Sequence, residues 1–501
     1  MKVHLAGYNV DTSVLKELQD MVGKRDDLTP EVISAAYARI SRDPRPIEEI
    51  RHDARREVEK SRRSNSTIIF KMGHHSVAEH AVFNLDIVGV SRYCMEEVEK
   101  FRLCSYTEKS QRYITLDKDY VIPEEIQGSA LAGEFVYMVE RQNKAYQELY
   151  ADLKSYVFKK HADLAADPKN HNLLEGWAKE DARYVTALAT QSQVGMTVNA
   201  RNLELLLRRF ASSGLAEARR LGRLIYKTVA PVAPSIVIFH EANDRDQLTY
   251  PGLRELAAKL IRKRSGKVSK AVKIMDYAQS GDHLVAAGLL HTSSGLDFAA
   301  CLKMVKKMNL AKRKEIFKTA LTHMQFYDSL PREFEYAGLL FEIALSAACF
   351  GQLKRHRMSS LTVQDYDPRL GLTIPPAIAA IGRRKDVVRI AKQSEEIYRK
   401  LYKEASMAAP YVLTNAHRRR VLMRVSAREL YHISRLREDQ HAQWDIRNVA
   451  RAMREQAQKV MPLTMMLACG KDRYNAVYKK IYGRLPKVVA AALPGIRKTI
   501  V

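Results

Sequence analysis

The stretch Gln352 to Arg357 reads Gln-Leu-Lys-Arg-His-Arg and closes a long apolar run, Tyr336 to Phe350, in which Glu342 is the one acidic residue. A run of that hydrophobicity belongs to a buried element, so the chain must bring Arg355, His356 and Arg357 together at the end of something packed in its core. Guanidinium forks match phosphate oxygens bidentately and an imidazole can stack or donate beside them, so the knot suits a nucleotide or dinucleotide. Its local alternative is a basic helix end, where cationic side chains answer the negative pole of the helix dipole.

An imperfect echo lies 255 residues earlier, where Lys100-Phe101-Arg102 falls on Arg355-His356-Arg357 and Ser105 falls on Ser360. Tyr146-Gln-Glu-Leu-Tyr150 and Tyr398-Arg-Lys-Leu-Tyr402 repeat at 252 residues. Asn199-Ala-Arg201 and Ser426-Ala-Arg428 repeat at 227, as do Tyr184-Val185 and Tyr411-Val412. Markers in one order at near-constant offsets mean that one fold of about 240 residues occurs twice. The drop of 25 in offset places an extra segment between Tyr150 and Tyr184 of the first copy.

The expected architecture is a tandem pair of α+β domains, residues 1–240 and 271–501, with a linker over 241–270 where Asn243-Asp-Arg-Asp and Arg262 to Lys270 are polar. Each copy opens with a short strand, Lys2 to Leu5 and Val272 to Met275. Periodicity predicts helices over Asp11 to Val22, Ile47 to Ile69, Gly128 to Val157 and Val387 to Lys403. Ala81 to Val90 alternates as a strand and leads into a helix that ends near Lys100.

A chain of 501 residues has room for about two to four domains. Its 83 Lys+Arg against 57 Asp+Glu, a formal +26, favours anionic partners without choosing among nucleotide, nucleic acid and membrane surface. Much of the excess, as in Arg383 to Lys403, reads as solvated helix surface. Five cysteines without a CxxC pair point to a reducing compartment and away from zinc. The start has no charged-then-apolar leader, and no apolar run nears the ~18 residues of a membrane span, so a soluble cytoplasmic protein is expected.

The chemistry-bearing motifs divide between the halves. The first carries Gly73-His74-His75-Ser76-Val-Ala-Glu79-His80, then Ser105-Tyr-Thr-Glu108-Lys-Ser110-Gln111-Arg112-Tyr113 and Asn199-Ala-Arg201. The second carries Gln352, Arg355-His356-Arg357, Arg428, Arg437 and His441-Ala-Gln-Trp444-Asp-Ile-Arg. Together they resemble the flavin-dependent thymidylate synthase family over nearly the whole chain outside the join. The first half departs at Lys100-Phe101-Arg102 and at Phe210, near which the family has an Arg. The second departs where Asp365, Asp367 and Pro368 replace Ser, Arg and Tyr. The losses are complementary.

The resemblance implies two tandem copies of a flavin-dependent thymidylate synthase-like domain that convert dUMP to dTMP. Methylenetetrahydrofolate would give the carbon and reduced FAD the hydride, with NADPH reducing the flavin and no cysteine nucleophile. It assigns catalysis to Ser110, Arg112 and Arg437, and dUMP binding to Glu108, Ser110, Gln111, Arg112, Gln352, Arg355 and Arg437. FAD would meet His74, Ser76, Asn199, Arg201, Arg355, His356, Arg357 and Arg428, without the Gly-x-Gly-x-x-Gly turn of a Rossmann fold.

Family enzymes are homotetramers with pockets shared between chains, so a homodimer forming a pseudo-tetramer is implied. One pocket would join Ser110, Gln111 and Arg112 to Gln352, Arg355 and Arg437. Its pseudo-equivalent, with Asp365, Asp367 and Lys100, would be free to decay because carboxylates repel a phosphate. That leaves half the sites of an undivided tetramer.

Each assignment has a local alternative. Asn199 and Arg201 read as a helix cap and a surface charge, Ser110 as a turn hydroxyl, Arg112 as a surface ion pair and Glu108 as a solvated carboxylate. His74, Glu79 and His80 are suitable metal donors, but no third ligand follows at helical spacing, and no metal is expected. The competing function is a non-catalytic nucleotide- or nucleic-acid-binding descendant, motivated by the net charge and by Phe101.

Overall fold

The computed structural model describes residues 1–8, 29–39, 43–45, 47–71, 74–116, 119–261 and 270–489. The helix expected over Asp11 to Val22 lies outside them. Two four-stranded antiparallel sheets have the same topology. In the first, strands β1 (Lys2–Tyr8), β2 (Val82–Ser91), β3 (Ser105–Glu108) and β4 (Gln191–Asn199) run in the order β1-β2-β4-β3. In the second, β5 (Val272–Tyr277), β6 (Gly338–Ser346), β7 (Ser360–Val363) and β8 (Arg418–Ser426) run in the order β5-β6-β8-β7.

The period of two in these strands puts one face of each sheet into a core. Phe83, Leu85 and Ile87 on β2 face inward with Val194, Met196 and Val198 on β4; Leu339, Phe341 and Ile343 on β6 do so with Val421, Met423 and Val425 on β8. Ser91 pairs with Gln191 and Ser346 with Arg418, so the registers are equivalent at offsets of 255 and 227. One difference is a bulge in β2 at Gly89, whose φ of +76° suits glycine; its counterpart in β6 is Ala344, and β6 pairs with β8 without a shift.

Each central strand ends in a serine that caps a short buried helix. Ser91 accepts from the Cys94 N–H to open Arg92–Val98, and Ser346 accepts from the Cys349 N–H to open Ala347–Leu353. All five cysteines are free and buried, as small core residues would be.

The compact units are not contiguous in sequence. Unit 1 comprises Met1–Lys144, Thr186–Ser265 and Lys392–Leu413; unit 2 comprises Ala145–Val185, Gly266–Ala391 and Thr414–Val501. Each unit thus takes a segment from the opposite half of the chain, and a buried carboxylate ties that segment down. In unit 1, Glu217 accepts from the Ser91 hydroxyl (2.6 Å), the Ser91 N–H (2.8 Å) and the Tyr411 hydroxyl (2.6 Å). In unit 2, Asp445 accepts from the hydroxyls of Ser346 (2.6 Å) and Tyr184 (3.0 Å). The sequence marker Tyr184/Tyr411 is therefore the pair of tyrosines that reach these carboxylates.

The join departs from a loose polar linker. Its first part is a helix, Asp244–Leu260, because Asn243-Asp-Arg-Asp is a cap and an acidic first turn: the Asn243 side chain accepts from the Asp246 N–H, and buried Asp246 pairs with Arg208 at 2.7 Å. Ser91→Ala and Ser346→Ala each remove a cap and one donor to a buried carboxylate. Each should lower stability by about 1–3 kcal/mol in denaturant titrations of the full chain.

Candidate functional site

In unit 2 the buried helix Ala347–Leu353 carries Gln352 and releases the triplet at its C-terminus. Arg355 and Arg357 are exposed, while His356 is 5% exposed. His356 Nε2 accepts from Arg437 Nε at 2.9 Å, and its Nδ1 lies 3.4 Å from Glu429 Oε1. A guanidinium can only donate, so Nε2 is the acceptor and Nδ1 carries the proton toward Glu429. Burial, then the Arg437 charge, push His356 down to about 3, so the ring is neutral.

His356, Glu429 and His432 bring ligand-type atoms within 4.8 Å of one another. A cation on Nδ1 would put the imidazole proton on Nε2, facing the Arg437 N–H, so His356, held between Glu429 and Arg437, works as a hydrogen-bonded support for Arg437. Both nitrogens of His356, expected to lie along a flavin, are engaged below the surface. Arg428 donates to the Leu330 carbonyl (2.7 Å) and pairs with Glu335 (3.1 Å). Asp367 caps its own turn and pairs with Arg369 at 2.7 Å; Asp365 is exposed.

In unit 1 the positions equivalent to His356 and Arg437, at offsets of 255 and 227, are Phe101 and Phe210. Their rings pack edge to face, centroids 6.1 Å apart, with Phe210 buried. A polar pair in one unit is an aromatic pair in the other. Glu108 is taken up inside this unit, pairing with Arg92 at 2.6 Å and accepting from Ser192 at 3.2 Å, with both partners of the ion pair nearly fully buried.

After β3 the chain turns on Ser110, whose hydroxyl accepts from the Arg112 N–H at 3.2 Å. Gln111 is buried, and half-buried Arg112 lies 5.4 Å from the Tyr113 ring centroid. His74 and Ser76 are exposed at the turn His75–His80. Asn199 caps the helix Ala200–Ala211, accepting from the Asn202 N–H at 2.9 Å, and Arg201 pairs with Glu79. Among the described residues, His74, Glu79 and His80 do not converge as a metal-donor group.

The expected residues thus form two sets: His74, Ser76, Glu108, Ser110, Gln111, Arg112, Asn199 and Arg201 in unit 1, and Gln352, Arg355, His356, Arg357, Arg428 and Arg437 in unit 2. A cavity of about 130 Å³ in unit 1, lined in part by Val121, Glu124, Gln191, Glu217 and Arg220, contains none of them. Sequence reasoning missed Glu429, which supports His356, and Gln443, which joins Gln352 to Tyr184 and Asp445. Gln443 stood inside a motif already noticed, yet its partner Tyr184 is 259 residues away.

The chain belongs to the thymidylate synthase complementing protein family, whose model matches residues 26–235 and 273–463. Each matched region contains the central strands of one sheet. The chain is 30% identical over 211 residues to a flavin-dependent thymidylate synthase of Clostridium tetani, covering 41% of this chain and 80% of that protein. It is 22% identical over 431 residues to UPF0159 protein Ta1429 of Thermoplasma acidophilum, covering 79% and 86%. A solved structure, the UMP/dUMP methylase PolB of Streptomyces cacaoi bound with 5-Br dUMP, aligns with 40% of this chain and 94% of its own at 19% identity and a TM-score of 0.31. No helix among the described residues is long and apolar enough to cross a membrane.

Beside this site, Trp444 Nε1–H donates to Asp181 at 2.7 Å. Burial, reinforced by Glu180, pushes the Asp181 carboxyl from 3.8 up to about 7. The fold prefers its neutral form, so this contribution to stability is full below about pH 4 and is lost as pH rises through about 7. Asp181→Asn keeps an acceptor for Trp444. It should flatten stability between about pH 5 and 8 and raise it at pH 8 by on the order of 2–4 kcal/mol, read by urea denaturation across that range.

Proposed function

We propose that the chain is a flavin-dependent thymidylate synthase, methylating dUMP with methylenetetrahydrofolate as carbon donor, from two unlike halves. The observation that carries this reading is the contrast at one pair of positions: His356 supports Arg437 in unit 2, where Phe101 packs on Phe210 in unit 1. Unit 1 in turn keeps Ser110, Gln111 and Arg112, where unit 2 has Asp365, Tyr366 and Asp367. A site that takes one set from each kind of unit recovers the full complement, and a site built the other way does not.

In this reading Arg112, Arg355 and Arg437 hold the phosphate and uracil of dUMP, with the guanidinium of Arg437 oriented by the neutral His356 ring. Ser110 donates to the pyrimidine and polarises it, and Gln111 and Gln352 complete the nucleotide pocket. The support for FAD is chemical: exposed Arg355 and Arg357 suit its phosphates, and exposed His74 and Ser76 offer short polar groups beside them. Asn199, Arg201 and Arg428 would bound the same cofactor while keeping their local partners. FAD, reduced by NADPH, supplies the hydride, and the protein supplies position and charge. Two chains associate as a pseudo-tetramer in the cytoplasm, with one working site per chain.

The purified protein should show, or regain on adding FAD, a flavin spectrum between about 350 and 500 nm that dUMP perturbs. Arg112→Ala should abolish the perturbation while flavin remains bound, and Arg355→Ala should abolish it and weaken flavin binding as well. Protein that stays colourless after reconstitution contradicts the reading.

A further inference from the structure

Gln352 is 8% exposed, and its amide oxygen accepts no hydrogen bond among the described residues. A buried acceptor in that state costs the fold unless a donor comes to it. Which atom is the oxygen follows from a backbone group. The Asp445 N–H donates to Gln443 Oε1 at 3.1 Å, so the Gln352 atom that meets that same oxygen, at 3.3 Å, is Nε2. Gln443 is fully buried and fixed at its other end, where Nε2 donates to the Tyr184 hydroxyl at 2.9 Å.

Unit 1 provides an internal control. Its clasp of Ser91, Glu217 and Tyr411 stands without such a bridge, because the residue at the position of Gln443, on the same 228 offset as Glu217 and Asp445, is Leu215. The residue at the position of Gln352 is Glu97. The clasp therefore does not need the glutamine. The bridge is found in the unit that carries Gln352.

We propose that Gln443 is a positioning residue that locks the Gln352 amide with its nitrogen on Gln443 and its oxygen turned the other way, as a fixed acceptor for a donor on the bound nucleotide. Two nucleotide groups have that chemistry, the imide N–H of uracil and a sugar hydroxyl. Cytosine presents a lone pair where uracil presents the N–H, so a locked acceptor rejects it, whereas an amide free to rotate would tolerate both. This inference rests on the thymidylate synthase reading.

The test is calorimetric titration of the full flavin-loaded protein with dUMP, dCMP and 2′,3′-dideoxyuridine monophosphate. Wild type should bind dUMP at least about tenfold more tightly than dCMP if the donor is the imide, or than the dideoxy analogue if it is the hydroxyl. Gln443→Leu, the residue unit 1 uses, removes a helix cap and should lower the thermal midpoint, and in the folded protein it should also collapse that ratio to within about twofold. Tyr184→Phe should weaken the ratio too, whereas Tyr411→Phe, which breaks the equivalent bond in unit 1, should leave it intact. A purely structural role would lower the midpoint and spare the ratio. Equal binding of all three nucleotides by wild type, or a ratio that survives Gln443→Leu, overturns the proposal while leaving dUMP binding in place. Folded wild-type protein that binds none of them removes the thymidylate synthase reading as well.

Discussion

A single buried carboxylate organises each unit. Glu217 and Asp445 sit in the first turns of the helices Ala216–Val229 and Trp444–Val460, where the helix dipole favours negative charge. Each also takes the hydroxyl of the serine that caps the short helix after the central strand, and the hydroxyl of a tyrosine from the opposite half of the sequence. Burial pushes both carboxyls up, and the hydroxyl donors oppose that shift. Two helix starts and an exchanged segment thus meet at one group, whose desolvation is offset only when all its donors are in place. In unit 2 the helix started this way ends at Gln352 and the triplet, so the clasp sets where the cationic residues emerge.

Around equal clasps, the units have diverged as pairs. Placing an arginine beside Phe101, or a phenylalanine beside His356, would leave a buried polar group unpartnered, a costly state. His356 with Arg437 and Phe101 with Phe210 are the two self-consistent solutions, one able to present a guanidinium and the other closed by aromatic packing. The same pairing of changes separates Glu108, neutralised by Arg92, from its unit 2 counterpart Val363, across from which Ala347 replaces that arginine. Divergence of this kind exchanges one set of side-chain contacts for another without weakening the fold that carries them.

Much of the fold was legible because its signals are local. Alternation gave away β2, the apolar run before the triplet became β6 and its capped helix, and near-constant offsets exposed two copies of one sheet. The candidate residues stood out one by one in the sequence, but their contacts did not. Phe101 and Phe210 each stood out as departures from a pattern, yet that they touch depends on a helix returning across 109 residues. The Tyr184 and Tyr411 markers were visible without any sign that each serves the opposite half, since an exchanged segment leaves no periodicity behind. Polar residues over 243–246 read as a linker because a helix cap and a loop favour the same residue types.

The central claim is that the closed aromatic pair of unit 1 leaves one working nucleotide site per chain. Equilibrium titration of flavin-loaded protein with dUMP, at protein concentrations well above the dissociation constant, counts the sites directly. The account predicts saturation at about one dUMP per chain, as half of the units are closed. Saturation at about two per chain would show that both kinds of unit form working sites, and would contradict it.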